Sequence, residues 1–187
     1  MQVERFDIAG VVALTPARHG DHRGFFSEVY NRARLAEAGI TADFVQDNHS
    51  FSREKGVIRG LHFQKPPHAQ AKLVRVSRGA ALDVVVDIRT GSPTYGRHVA
   101  VELSAENWKQ LYVPEGFAHG FCTLTADVEF LYKVSGYYDR ESDAGLAFDD
   151  PDLSIDWPVA AADAILSDKD RRHPRLRDLG PVFTFAG

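Results

Sequence analysis

The side chains able to do chemistry in this chain fall into a few short stretches, and two of these carry histidine. In Ile58-Arg59-Gly60-Leu61-His62-Phe63-Gln64, strand alternation puts Arg59, Leu61 and Phe63 on one face and Gly60, His62 and Gln64 on the other. An imidazole titrates at about 6.5, so His62 can take or give a proton near neutrality. It can equally be a core histidine satisfied by one hydrogen bond. In Pro114-Glu115-Gly116-Phe117-Ala118-His119-Gly120, Pro and Gly set a tight turn that delivers His119 onto the next strand. Three further stretches hold Lys72 at a strand start, Tyr132 beside Phe130, and Asp168, Lys169 and Asp170 after Ser167. Taken singly, these read as a solvated strand end, a packed aromatic and a helix cap.

The spacing P-x-G-x-x-H resembles the second motif of the cupin superfamily, whose members are small β-barrels and often bind a metal. A metal-binding first motif needs H-x-H and a nearby Glu. Here the residue two after His62 is Gln64, and no Glu follows until Glu102. One histidine, a weakly donating amide and a distant His119 make a poor site for zinc or iron.

Positioning these groups falls to strands. Short apolar runs rich in β-branched residues, broken by Gly, Pro, Asn and Asp, predict strands at 25–30, 44–50, 57–63, 72–77, 80–88, 98–103, 110–113, 119–123 and 128–134. So many short strands indicate a mainly β fold, a sandwich or barrel. Asp83 and Asp87 share one face of their strand, which is informative where a barrel interior can hold a ligand. Asn31 caps a helix over 32–38 that Gly39 stops. Ser167 caps a second short helix starting at Asp168 and ending before Pro174. Residues 89–96 read as a turn-rich loop. With no repeat or linker, residues 1–187 read as one domain.

Composition excludes other classes. The formal charge of −4 disfavours non-specific nucleic-acid binding. No apolar run reaches the roughly 20 residues of a membrane span, and 1–10 has no signal-peptide core. Cys122 is the only cysteine, so no intrachain disulfide can form, and the expectation is a cytoplasmic protein.

Taken together the stretches resemble the dTDP-4-dehydrorhamnose 3,5-epimerases. The matching pieces are Gly20-Asp21-His22-Arg23-Gly24-Phe25-Phe26, Phe44 through Ser50, Arg59-Gly60-Leu61-His62, Gln70 through Arg75, Asp87-Ile88-Arg89, Leu103 through Asn107, Val113 through Phe121, Phe130 through Lys133, Tyr137-Tyr138 and Leu166 through Asp170. They run in register from about residue 5 to about residue 174. The resemblance implies a cupin-type jelly roll that forms a homodimer and needs neither cofactor nor metal. It implies a dTDP-ketosugar substrate inverted at C3 and C5 on the way to dTDP-rhamnose.

The resemblance also assigns roles. His62 matches the base, Asp170 its carboxylate partner, Lys72 the cation that steadies the enolate oxygen, and Tyr132 the acid on the opposite face. Arg23 and Arg59 match diphosphate binders, and Tyr137 the aromatic that stacks on thymine. Glu28, Gln46, Asn48, His119 and Lys169 match further substrate contacts. Asp143 stands where many relatives carry a Glu, a longer carboxylate. The rival readings are an epimerase acting at C3 only or C5 only, a metal-dependent cupin oxygenase or isomerase, and a non-enzymatic sugar-binding cupin.

Overall fold

The computed structural model describes residues 1–185. In chain order the strands are β1 (Gln2–Arg5), β2 (Val12–Thr15), β3 (His19–Asp21), β4 (Gly24–Phe26), β5 (Gln46–Ser52), β6 (Ile58–Gln64), β7 (Lys72–Arg78) and β8 (Ala80–Asp87). They continue with β9 (Arg89–Thr90), β10 (His98–Ser104), β11 (Gln110–Val113), β12 (Phe117–Thr123), β13 (Val128–Val134), β14 (Asp143–Gly145) and β15 (Phe183–Thr184). One helix, α1 (Arg32–Glu37), and two 3-10 turns, Asp170–Arg172 and Leu176–Asp178, complete the described elements.

The strands form two facing antiparallel sheets, in the order β1-β2-β11-β7-β13-β5 and β10-β8-β12-β6-β14. This is the mainly β sandwich that the strand pattern predicts, and the jelly roll that the resemblance implies. Between the sheets lies a core that includes Val74, Val76, Leu111 and Phe130 from the first sheet and Val85, Phe117 and Phe121 from the second. Phe121 and Phe130 stack at 4.0 Å between centroids, nearly parallel. The outer face of the second sheet is also covered, by Leu146, Leu153 and Leu176 of the C-terminal segment. Burial on both faces explains why Val84-Val85-Val86 is continuously apolar rather than alternating. Helix α1 covers the outer face of the first sheet, seating Leu35 against Val12, Leu14 and Leu73.

The strand alternation in β7 is clear. Lys72, Val74 and Val76 face inward, with Leu73 on the outer face. The valines fill the core, and the lysine emerges at its edge. In the same way β13 aligns Phe130 with Tyr132, and β12 aligns Phe121 with His119. One end of the interior is therefore apolar, and the other carries the polar end of each strand.

Several sequence expectations shift here. The strand expected at 25–30 stops at Phe26, because β4 pairs only with β3 in a free-standing hairpin. The following residues hold the first sheet through side chains, Trp108 Nε1 donating to Ser27 and Gln110 Nε2 to the Val29 carbonyl. Asn31 caps α1 as expected, accepting from the backbone of Ala33 and Arg34. Ser167 caps the C-terminal turn as expected, its hydroxyl accepting from the Asp170 backbone, but the segment forms only a 3-10 turn over Asp170–Arg172 instead of a helix from Asp168. The loop at 89–96 opens with strand β9, which pairs in parallel with β15. Asp87 organises that loop, accepting from Arg89, Ser92 and Thr94. Burial would raise the Asp87 carboxyl, but these donors hold it down at about 2.

Candidate active site

The site begins with a break in β6. Gly60 has φ +130°, and a Cβ there would stand 2.5 Å from Gly120 Cα and 2.8 Å from the His119 carbonyl. Only glycine fits so close a backbone approach in that conformation. The β6–β12 register shifts at this point, from His62 opposite His119 to Arg59 opposite Phe121. This corrects the strict alternation expected from the sequence. Arg59 and His62, an odd number of residues apart, both face the inner cavity, whereas Leu61 and Phe63 pack into the outer core.

His62 lines a cavity of about 420 Å³ with Arg59, Lys72, His119, Tyr132, Lys169 and Asp170. Phe121 and Phe130 close its floor. His62 Nε2 stands 2.5 Å from Asp170 Oδ1, joining residues 108 positions apart in the chain. The His62 side chain is 31% exposed and that of Asp170 4%. With Nε2 donating to the carboxylate, Nδ1 of His62 is the basic nitrogen, and it has no protein partner among the described residues. Burial lowers the His62 pKa. Asp170 opposes this, and Lys72 and Lys169 add to it, so the free imidazole is the favoured resting form. Burial alone would raise the Asp170 carboxyl. The neighbouring His173 ring, the His62 hydrogen bond and the Ser167 hydroxyl instead hold it well below the ordinary carboxylate range. The Ser167 hydroxyl fixes the carboxylate by donating to Oδ2 at 2.9 Å.

Lys72 reaches across from the opposite sheet and donates to the His62 carbonyl at 3.3 Å. Burial lowers its pKa to about 8, while Asp83 and Asp143 support its charge and Lys169 opposes it. Fully buried Asp83 engages His119 Nε2 through both oxygens, at 2.9 and 3.0 Å. Tyr132 borders the same cavity from β13, and burial raises its phenol pKa against the pull of Arg59. Arg59 is aimed by Ser52 Oγ and the Phe51 carbonyl.

A second lobe of about 400 Å³ shares His62, Lys72, Tyr132 and Lys169 and adds Gln46, Asn48 and Asp143. Gln46 donates to Asn48 at 2.8 Å, so these two inward residues of β5 act together. Asp143 accepts from Lys169 Nζ and from the Tyr138 hydroxyl. The shorter carboxylate is thus engaged by protein groups at the mouth of the lobe. Gln64 does not serve the cavity as a free amide. It latches the neighbouring loop, donating to the His68 and Tyr137 carbonyls and accepting from the Asp139 backbone.

Three expected contacts lie outside these lobes in a single chain. Arg23 sits on the exposed β3–β4 hairpin and pairs with Asp21 at 2.6 Å. Glu28 accepts from Asn31 and pairs with Arg34, bordering a separate groove that Asn48 and Tyr132 also reach. Tyr137 is 70% exposed. Sequence reasoning passed over Asp83 as the partner of His119, although its inward phase in β8 was the signal. It also passed over His173, which no motif marks and which lies three residues after Asp170.

His62, Asp170 and His173 offer three ligand atoms within 4.8 Å of one another. Two donors on a tetrahedral zinc stand about 3.3 Å apart, given bonds near 2.0–2.1 Å. The 2.5 Å contact of His62 with Asp170 is a direct hydrogen bond, too short to admit an ion between them. The donor set does not fit a metal in this arrangement.

A jelly roll whose polar interior sets a histidine–carboxylate pair against a lysine and a phenol defines a cupin-type enzyme of proton-transfer chemistry. The sequence profile described as dTDP-4-dehydrorhamnose 3,5-epimerase matches residues 5–178. The dTDP-4-dehydrorhamnose 3,5-epimerase of Sinorhizobium fredii is 49% identical over 99% of this chain and 94% of its own length. The crystal structure of the Bacillus anthracis enzyme of that name, with TDP and PPi bound, is 49% identical and superposes at TM-score 0.90, covering 93% of this chain and 98% of the other. The Legionella pneumophila dTDP-6-deoxy-D-glucose-3,5-epimerase, in complex with dTDP-4-keto-L-rhamnose, is 43% identical at TM-score 0.94, covering 100% and 99%. The chain belongs to the dTDP-4-dehydrorhamnose 3,5-epimerase family, an isomerase family.

Proposed function

We infer that this chain converts dTDP-4-dehydro-6-deoxy-D-glucose to dTDP-4-dehydro-L-rhamnose, inverting C3 and C5 in dTDP-rhamnose biosynthesis. The observation that carries the reading is that His62 and Tyr132 come from opposite sheets to one cavity, with Lys72 extending between the sheets. Inversion needs a base on one face of the sugar and an acid on the other.

Both carbons flank the C4 ketone. His62 Nδ1 removes the C–H proton, and the electron pair moves onto the C4 oxygen as an enolate. Asp170 stabilises the resulting imidazolium. The Lys72 ammonium steadies the enolate oxygen, in a setting where a fixed charge is worth more than in water. Tyr132 then gives its phenolic proton to the opposite face of the same carbon and recovers one from solvent, while His62 releases the abstracted proton to solvent before the second carbon reacts. Its raised pKa keeps the phenol protonated and ready to donate.

Arg59 serves the diphosphate with a guanidinium fork that the Ser52 hydroxyl and the Phe51 carbonyl already aim. Gln46, Asn48, His119, Asp143 and Lys169 surround the sugar. The exposed hairpin explains the rest. Phe25 and Phe26 are 55% and 71% exposed, an apolar pair that a second copy would cover. In such a homodimer, Arg23 and Glu28 complete the nucleotide site of the partner, and Tyr137 stacks on thymine. The chain is read as one domain. The lone buried Cys122, its thiol pushed up to about 11 by burial, suits a reducing cytoplasm.

Incubation with the dTDP-ketosugar in D₂O tests the reading by NMR. Deuterium at C3 and C5, lost in His62→Asn, supports it. Label at one carbon identifies a single-site epimerase instead, and no exchange with intact protein overturns the assignment.

A further inference from the structure

We propose that His173 is a positioning residue for the base, an Nε2–H tautomer that donates to the same Asp170 oxygen that holds His62. The proposal rests on the reading of His62 as the base. The His173 side chain is only 9% exposed, and its Nε2 is fully buried without a hydrogen-bond partner among the described residues. That nitrogen lies 3.5 Å from Asp170 Oδ1, the atom 2.5 Å from His62 Nε2. The two imidazoles meet edge to face at 5.6 Å. The ring occupies space that Gly145 leaves open, for a Cβ there would stand 2.6 Å from Nε2.

A buried ring nitrogen needs a partner, and only one nearby arrangement supplies it. If Nε2 lacked hydrogen, its lone pair would oppose the carboxylate. If Nε2 carries hydrogen, closing the gap by on the order of half an ångström gives an ordinary hydrogen bond. Asp170 Oδ1 then serves two donors. The charge it lends to His173 is withheld from His62, so the imidazolium is less stabilised and the base stays free at neutral pH. The other groups facing His62 are Lys72 from β7, His119 with Asp83 from β12 and β8, Tyr132 from β13, Arg59 from β6, and Lys169, itself paired with Asp143 of β14. Ser167 engages Oδ2, so among the described residues His173 alone shares Oδ1 with the base.

His173→Phe removes the donor, and His173→Gln keeps an N–H at a similar reach. In His173→Phe the acid limb of the kcat/KM profile should move up by about half a pH unit or more, with KM at pH 8 little changed. His173→Gln should restore the wild-type limb. If both variants keep that limb and differ only in melting temperature, His173 is a packing residue and the proposal falls. Nitrogen-15 NMR of the wild-type imidazoles needs neither variant nor substrate. It should show His173 protonated at Nε2, and an Nδ1–H form would overturn the proposal even if the chain turned over no sugar.

Discussion

Asp83 and His119 face each other from neighbouring strands of one sheet, with both carboxylate oxygens within hydrogen-bonding distance of a single imidazole nitrogen. Asp83 is also the strongest support of the Lys72 charge against its burial. One buried carboxylate therefore fixes a histidine of the cavity wall and keeps an ammonium charged beside it. Burial raises the carboxyl itself, and His119 and Lys72 pull it back. The cluster links Lys72, the cation proposed for the enolate, to the strand paired with that of His62.

Replacing Asp83 by Asn should show this. Asn can still accept from His119, but it carries no charge. The pKa of Lys72, already lowered to about 8, should fall further, because the group that raised it is gone. The basic limb of kcat/KM should move to lower pH. An unmoved limb would show that Asp83 does not support the lysine.

The wild-type profile should be a bell. The proposed mechanism needs His62 free and Lys72 protonated. Activity rises with pH as His62 loses its proton, below the ordinary 6.5 because burial lowers that pKa. It falls as pH passes about 8, where Lys72 loses its charge. Lys72→Met should remove the basic limb and lower kcat by about 10²–10³-fold, the range for losing an oxyanion donor. A basic limb that persists in this variant would belong to another group.

Much of this was legible because β-branched runs and inward phase are local signals. β7, β11 and β13 appear where alternation placed them. The break at Gly60 was not legible, since its cause is the backbone of β12, a contact from 60 residues away. The strands β1, β2, β14 and β15 were missed because none is longer than four residues; β1 is exposed throughout, and β14 and β15 pair with strands remote in sequence. The site residues come from β5, β6, β7, β12, β13, β14 and the segment leading into the Asp170 turn. Their meeting was visible only through motif resemblance. His173 shows the limit, because a residue that acts through another leaves no spacing pattern.

Tyr132→Phe separates proton removal from proton return. The base and the lysine remain, so substrate hydrogen should still wash out in D₂O. Product inverted at C5 should fall by about 10²–10⁴-fold, the usual contribution of a general acid. Undiminished inversion would take Tyr132 out of the mechanism.

Gly60→Ala tests the bend that turns Arg59 and His62 to one cavity. The new Cβ meets backbone at 2.5 and 2.8 Å, with φ at +130°. Strain and overpacking together should cost roughly 2–5 kcal/mol of stability, read from the denaturant midpoint. A variant as stable as wild type would mean the two strands can separate at that point.

The hairpin prediction concerns assembly. Phe26 is 71% exposed in one chain, and the neighbouring Arg23 touches neither lobe of its own cavity. Phe26→Ser should shift the light-scattering mass from dimer toward monomer and raise KM, because the hairpin no longer reaches a second site. Arg23→Ala should leave the mass alone and raise KM about tenfold or more, the worth of a charged hydrogen bond to phosphate. The pair of variants separates assembly from binding. A wild-type chain that is monomeric yet fully active would show that Arg23 acts, if at all, within its own subunit.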